Sequence, residues 1–145
     1  MKIYLGADHR GFYLKEKLKV WLKSENHRVI DKGAFKYDPN DDYPNFIIPA
    51  AKAVAKDKSS RGIIIGASGQ GEAMAANRSR NARAAVYYGG PLKIILLSRE
   101  HNNANILSLG AVFLNFTSAK KALTLWLKTP FSAEPRHKRR LAKFN

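Results

Sequence analysis

The spacing of apolar positions alternates between two periods along the chain. Residues 2–7 place Ile3, Tyr4, Leu5 and Ala7 in a strand-length run, and residues 11–23 put Phe12, Leu14, Leu18, Trp21 and Leu22 at intervals suited to a helix covering a sheet. A second strand is predicted over 28–31. After the turn-rich segment 36–42, residues 43–55 read as a helix with Pro44 in its first turn, where a missing N–H costs little. Residues 62–66 read Gly-Ile-Ile-Ile-Gly, a continuous apolar run of the kind buried on both faces of a parallel sheet. Beyond it the pattern predicts a helix over 71–77, a strand over 82–87, a helix around 91–100, a strand over 105–109 and a helix over 118–127.

Strands alternating with helices imply right-handed crossovers and a doubly wound parallel sheet, an α/β fold. No repeat or linker interrupts the pattern, so a single domain over 1–145 is expected. Sites in this architecture lie at the carboxyl ends of strands. Three polar clusters are candidates: Asp8-His9 after the first strand, Ser68 to Glu72 after the third, and Arg99-Glu100-His101-Asn102-Asn103 just before the fifth.

Composition narrows the classes. The chain has 145 residues, of which 45% are apolar, enough for a core. No window approaches the roughly 18 uninterrupted apolar residues of a spanning helix, so no membrane partner is expected. The N-terminus lacks the charged and apolar regions of a secretory signal, and the absence of Cys excludes disulfides, thiolate nucleophiles and Cys-based zinc sites. A cytoplasmic setting is expected. The formal charge is +15, unevenly placed: residues 1–60 hold 12 basic and 8 acidic side chains, residues 61–145 hold 14 and 3. Such a second half attracts nucleic acid, an anionic surface or a phosphorylated small molecule.

The segment Gly66-Ala67-Ser68-Gly69-Gln70-Gly71-Glu72 joins a buried strand to a helix. Its glycines let backbone N–H groups turn toward an oxyanion, and the helix N-terminus adds partial positive charge; a plain tight turn with Glu72 favouring the helix dipole is the alternative. The loop is not a Walker A motif, and the first strand lacks a dinucleotide fingerprint. A carboxylate beside an anion hole suits proton abstraction next to a carbonyl, where an enediolate needs stabilising. His9 and His101 could add acid/base chemistry or an anion contact, or be ordinary surface groups. No set of His and carboxylates has convincing metal-ligand spacing. Arg136 and Arg140, four apart, would share one face of a terminal helix and offer forked donors to phosphate, or form a solvated basic tail. Only Phe144 interleaves that run, so nucleic acid is not an expected partner.

Together these fragments resemble the ribose-5-phosphate isomerase B family, which includes the galactose-6-phosphate isomerase subunits. The resemblance rests on Gly6-Ala7-Asp8-His9-Arg10-Gly11, Asp42-Tyr43-Pro44, the loop from Gly66 through Ala75-Ala76-Asn77, Arg99 through Asn105, and Arg136-His137-Lys138-Arg139-Arg140, in order over nearly the whole chain. It implies a Rossmann-like three-layer sandwich with a five-stranded sheet and a C-terminal helix. It also implies a metal-independent aldose–ketose isomerase without cofactor, acting as a homodimer or tetramer with sites at subunit interfaces.

Some members place a Cys base at the end of the third strand; Gly66 stands there, which looks like the branch that uses a Glu. Glu72 is then the implied base. Ser68 and the N–H groups of Gly69, Gln70 and Gly71 would hold the enediolate oxygen. His101 with Asp8 would open the sugar ring, Tyr43 and Asn102 would contact the sugar, and His9, Arg136 and Arg140 would bind phosphate. Many relatives carry an Arg where this chain has Val112. Three readings stay open: an isomerase of ribose 5-phosphate, an isomerase of a hexose 6-phosphate such as allose or galactose 6-phosphate, or an inert relative that binds nucleic acid.

Overall fold

The computed structural model describes residues 1–144; Asn145, the last residue of the basic terminal run, lies outside them. In chain order the elements are β1 (Lys2–Ala7), α1 (Phe12–Ser24), β2 (Arg28–Asp31), α2 (Pro44–Lys56), β3 (Arg61–Gly66), α3 (Gln70–Asn77), β4 (Ala84–Tyr87), α4 (Lys93–Glu100), β5 (Ile106–Gly110), α5 (Phe116–Lys128) and α6 (Pro135–Leu141). The strands form one parallel sheet in the order β2-β1-β3-β5-β4.

The sheet separates two cores of unequal size. On one face Leu18, Trp21 and Leu22 of α1, Ile95 of α4 and Leu123 and Trp126 of α5 pack on Ile3, Leu5, Ile63, Ile65, Leu107 and Leu109. On the other, Ile47, Ala50, Ala51 and Val54 of α2 and Ala76 of α3 pack on Ile64 and Ile106. Successive strand residues point to opposite faces, so Ile63, Ile64 and Ile65 serve both cores in turn. That is why the run is apolar without alternation. The result is a Rossmann-like three-layer sandwich.

Element boundaries shift for local reasons. β4 begins at Ala84 because Ala82 closes a turn on Ser79 and the Arg83 N–H is taken by Asn105 Oδ1 at 2.7 Å. α5 begins at Phe116, two residues early, because Asn115 caps it by accepting from the Ser118 N–H at 2.8 Å. The spacing of Arg136 and Arg140 is realised in α6, whose first residue is Pro135.

The topology reverses between β1 and β3. α1 leaves β1 toward one face and α3 leaves β3 toward the other, which opens a crevice at the carboxyl ends of these neighbours. By contrast, α4 carries the chain back, so the cluster from Arg99 to Asn103 lies at the amino end of β5. Of the three polar clusters, this one is not at a strand's carboxyl end.

Candidate active site

The crevice is built around one buried carboxylate. Gly69, at φ +78°, caps α3 in the left-handed region that glycine tolerates, and this turn sets Glu72 in the first helical turn. Glu72 is 5% exposed and folds back over the end of β3. A Cβ at Gly66 would stand 1.8 Å from its Oε1, so the room Glu72 occupies exists because residue 66 has no side chain. Burial raises the Glu72 pKa above the ordinary carboxylate value, and the charge of Asp8 pushes it the same way, against the N–H groups of Glu72 and Gly69.

The other groups at this end are held by hydrogen bonds, some within a turn and some across distant parts of the chain. Asp8, 5% exposed, accepts from the N–H of Arg10 at 2.9 Å and of Gly11 at 3.1 Å. Ser68 Oγ accepts from the Gln70 N–H at 3.3 Å, while the Ser108 hydroxyl on β5 donates to the Gly69 carbonyl at 2.6 Å and pins the loop. Tyr43 begins α2 with its hydroxyl over Gly71, where an added Cβ would lie 3.0 Å away. His9 meets Asp41 twice: its N–H donates to Asp41 Oδ1 at 3.0 Å and its Nδ1 lies 2.7 Å from the same oxygen. Nδ1 therefore carries the proton toward Asp41, which leaves Nε2 for another partner.

Asp8, His9, Tyr43, Gly66, Ser68, Gly69, Gln70, Gly71 and Glu72 thus converge. His101, Asn102, Arg136 and Arg140 do not join them within one chain. His101 follows α4 and its ring lies 4.2 Å from that of His137 on α6, whose Nδ1 is 2.9 Å from Ser132 Oγ. Ser132 in turn bonds the Glu100 carbonyl, tying α6 to the amino end of the sheet. Arg136 is exposed and paired with Glu134 at 2.8 Å, and Arg140 is exposed. A groove of about 940 Å³ beside Asn102, lined also by residues 77–85 and Leu141, opens at that end and not around Glu72.

Three contributors had no strong sequence signal. Asp41 is hidden in a turn-rich segment with Asp38 and Asp42, Ser108 sits mid-strand, and buried His137 looks like one more member of a basic run. Asp8, His9 and Asp41 bring ligand atoms within 4.8 Å of one another, a grouping already occupied by the His9–Asp41 contacts and the Asp8 turn. Val112 is exposed at the rim of the crevice, its N–H donating to the Ala67 carbonyl at 3.1 Å.

Among the described residues no helix is long and apolar enough to cross a membrane. The family described as Ribose/Galactose Isomerase matches residues 3–144. Ribose-5-phosphate isomerase B of Mycolicibacterium paratuberculosis is 42% identical over 141 residues, covering 97% of this chain and 87% of that relative. A crystal structure of ribose-5-phosphate isomerase B from Mycoplasma genitalium with bound ribulose-5-phosphate superposes with a TM-score of 0.92 at 36% identity, covering 98% of this chain and 92% of that one. The ribose-5-phosphate isomerase B of Clostridium thermocellum gives the same TM-score at 38% identity, covering 99% and 94%.

Proposed function

The chain belongs to the ribose/galactose isomerase family, and on that premise we propose that it interconverts ribose 5-phosphate and ribulose 5-phosphate with Glu72 as the base. The observation that carries the assignment is the buried Glu72 carboxylate over Gly66, beside the first turn of α3. In the open-chain aldose Glu72 takes the C2 proton, and the electron pair moves through C1 onto the aldehyde oxygen. The enediolate oxygen is met by Ser68 and by the free N–H groups at the start of α3. Glu72 then returns the proton to C1, and a proton passes from O2 to O1, giving the ketose. A raised pKa suits a group that both takes and gives up a proton near neutrality. The route uses protein groups alone, without metal or cofactor.

Ring opening and phosphate binding need the rest of the set. His101, Asn102, Arg136 and Arg140 lie at the other end of the sheet, and β5 alone spans roughly 13 Å between the two ends. We assign the complete site to a homodimer, or a tetramer built from such dimers, in which a second copy supplies these four residues. Asp8 with the second copy's His101 would open the ring, Tyr43 and Asn102 would hold hydroxyls, and His9, Arg136 and Arg140 would hold the phosphate. A single domain over 1–145 working in the cytoplasm suits this reading. Val112 at the rim favours one other substrate: without a guanidinium there, a hexose 6-phosphate becomes a competitor.

The test is conversion of ribose 5-phosphate by purified protein without added metal, beside allose and galactose 6-phosphates and a Glu72→Gln control. Turnover on ribose 5-phosphate that vanishes in the control is the expected result. Activity confined to a hexose phosphate would move the substrate to that sugar, and activity unchanged in the control would remove Glu72 as the base.

A further inference from the structure

Three arginines gather at the amino end of the sheet with no acid among them. Arg61 opens β3, Arg83 precedes β4 and Arg99 lies in the last turn of α4; with Lys58 they line a cavity of about 570 Å³. No carboxylate of the described residues lies within salt-bridge distance of any of the four, and none lines the cavity. Asp57, next to Lys58, is taken by Lys2 at 2.6 Å and by Ser59.

What these guanidinium groups do bond is neutral. Arg61 Nη1 donates to the Ser60 carbonyl at 2.9 Å, and Arg83 Nε to the Asn103 carbonyl at 2.9 Å. Arg99, 2% exposed, donates from Nε to the Thr129 carbonyl at 3.1 Å and from Nη1 to Asn103 Oδ1 at 3.0 Å. The forks are thereby held in place while their charge stays uncompensated. Burial first, and then the positive charges of Arg61 and Arg83, pull the Arg99 pKa down to about 10. An anion entering the cavity would relieve that repulsion and meet rigid donors whose planar geometry matches phosphate.

We propose that this cavity is a second anion site, distinct from the isomerase site, that takes a linked di- or triphosphate group. Four positive groups exceed what a single phosphate neutralises, and the cavity is larger than one phosphate requires. Val54 and Phe131 on its wall leave room for an organic group on the phosphate chain. None of the residues assigned to the isomerase site lines the cavity: it flanks His101 and Asn102 through Arg99 and Asn103, and it lies at the opposite end of β3 from Glu72, with Arg61 and Gly66 roughly 17 Å apart. It also gives the basic second half of the chain a role that one substrate phosphate does not exhaust.

The experiment is calorimetric titration of the purified protein with pyrophosphate and, separately, with adenosine triphosphate, at about 0.15 M ionic strength. Three variants accompany it: Lys58→Glu, an exposed reversal that leaves the fold intact; the double variant Lys58→Ser, Arg61→Ser; and Arg140→Ser as a control on the terminal helix. Saturable binding that survives in Arg140→Ser and weakens at least about tenfold in both cavity variants, with isomerase turnover unchanged in Lys58→Glu, is expected. Equal affinity for the two ligands would mean that phosphate alone is read, and tighter binding of the nucleotide that the apolar wall takes its base; either ranking supports the site. Binding lost in Arg140→Ser and kept in the cavity variants would overturn it. So would failure of both small ligands to bind while a duplex oligonucleotide does, which would make the surface a polymer-binding one.

Discussion

At the carboxyl end of the sheet the two candidate carboxylates, Asp8 and Glu72, are buried; at the amino end the candidate groups are basic, amide or imidazole side chains at a helix end and on an exposed terminal helix. Asp8 and Glu72 are each 5% exposed, whereas Arg136 and Arg140 face solvent. Proton transfer needs a carboxylate deprived of water so that its pKa rises, and only the packed end provides this. Phosphate capture needs long side chains that can reach out, which the exposed end provides. On the proposed reading, one chain carries both halves of the chemistry and keeps them apart, and a second copy would bring them together.

The largest expected effect tests the packed end. Glu72→Gln keeps the shape and removes proton transfer, so kcat should fall about a thousandfold with substrate binding nearly unchanged. Mixing this variant with His101→Ala sharpens the comparison. Random pairing of two dead proteins yields mixed dimers with one intact site, and about a quarter of the wild-type rate should return. No recovery after subunit exchange would place the site within one chain.

Next in size is Gly66→Ala. Its Cβ displaces the Glu72 carboxylate, and turnover should drop about a hundredfold while the circular dichroism spectrum is kept. Retained turnover would mean that the carboxylate does not act from this position. Arg140→Ala acts on the exposed end, and a lost charge-assisted contact should raise KM about tenfold with kcat little changed.

The smallest effect is on stability. Burial raises the folded-state pKa of Glu72, so the folded protein holds that proton more tightly than the unfolded chain. Stability from this group is present at low pH and lost as pH rises through the range above the ordinary carboxylate value of 4.5. The melting temperature of Glu72→Gln minus that of wild type should therefore grow between about pH 4 and pH 8; a constant difference would contradict the raised pKa.

The strands and the glycine loop were legible because their signals are local. Gly62 to Gly66 reads as a buried strand from five letters, and Asp8, Ser68 and Glu72 follow strands whose ends can be placed by pattern. Asp41 was not legible, since its contact with His9 crosses 32 positions and a turn rich in Asp offers no means of choosing among them. The pinning of Gly69 by Ser108 crosses 39 positions and follows from the pairing of β3 with β5, which no local spacing encodes. His101 looked equivalent to His9 in the sequence. The direction in which α4 carries the chain put it at the other end of the sheet.

By itself, the sequence determined the class of fold and the family and singled out the candidate residues, because periodicity, glycine spacing and motif order are properties of neighbours along the chain. Tertiary structure alone decided that three arginines share a cavity without an acid, and that His101, Asn102, Arg136 and Arg140 lie at the other end of the sheet from Glu72. Each of those depends on which strands pair and on which face each helix packs. Burial and charge then act through space, on groups the chain separates by tens of residues.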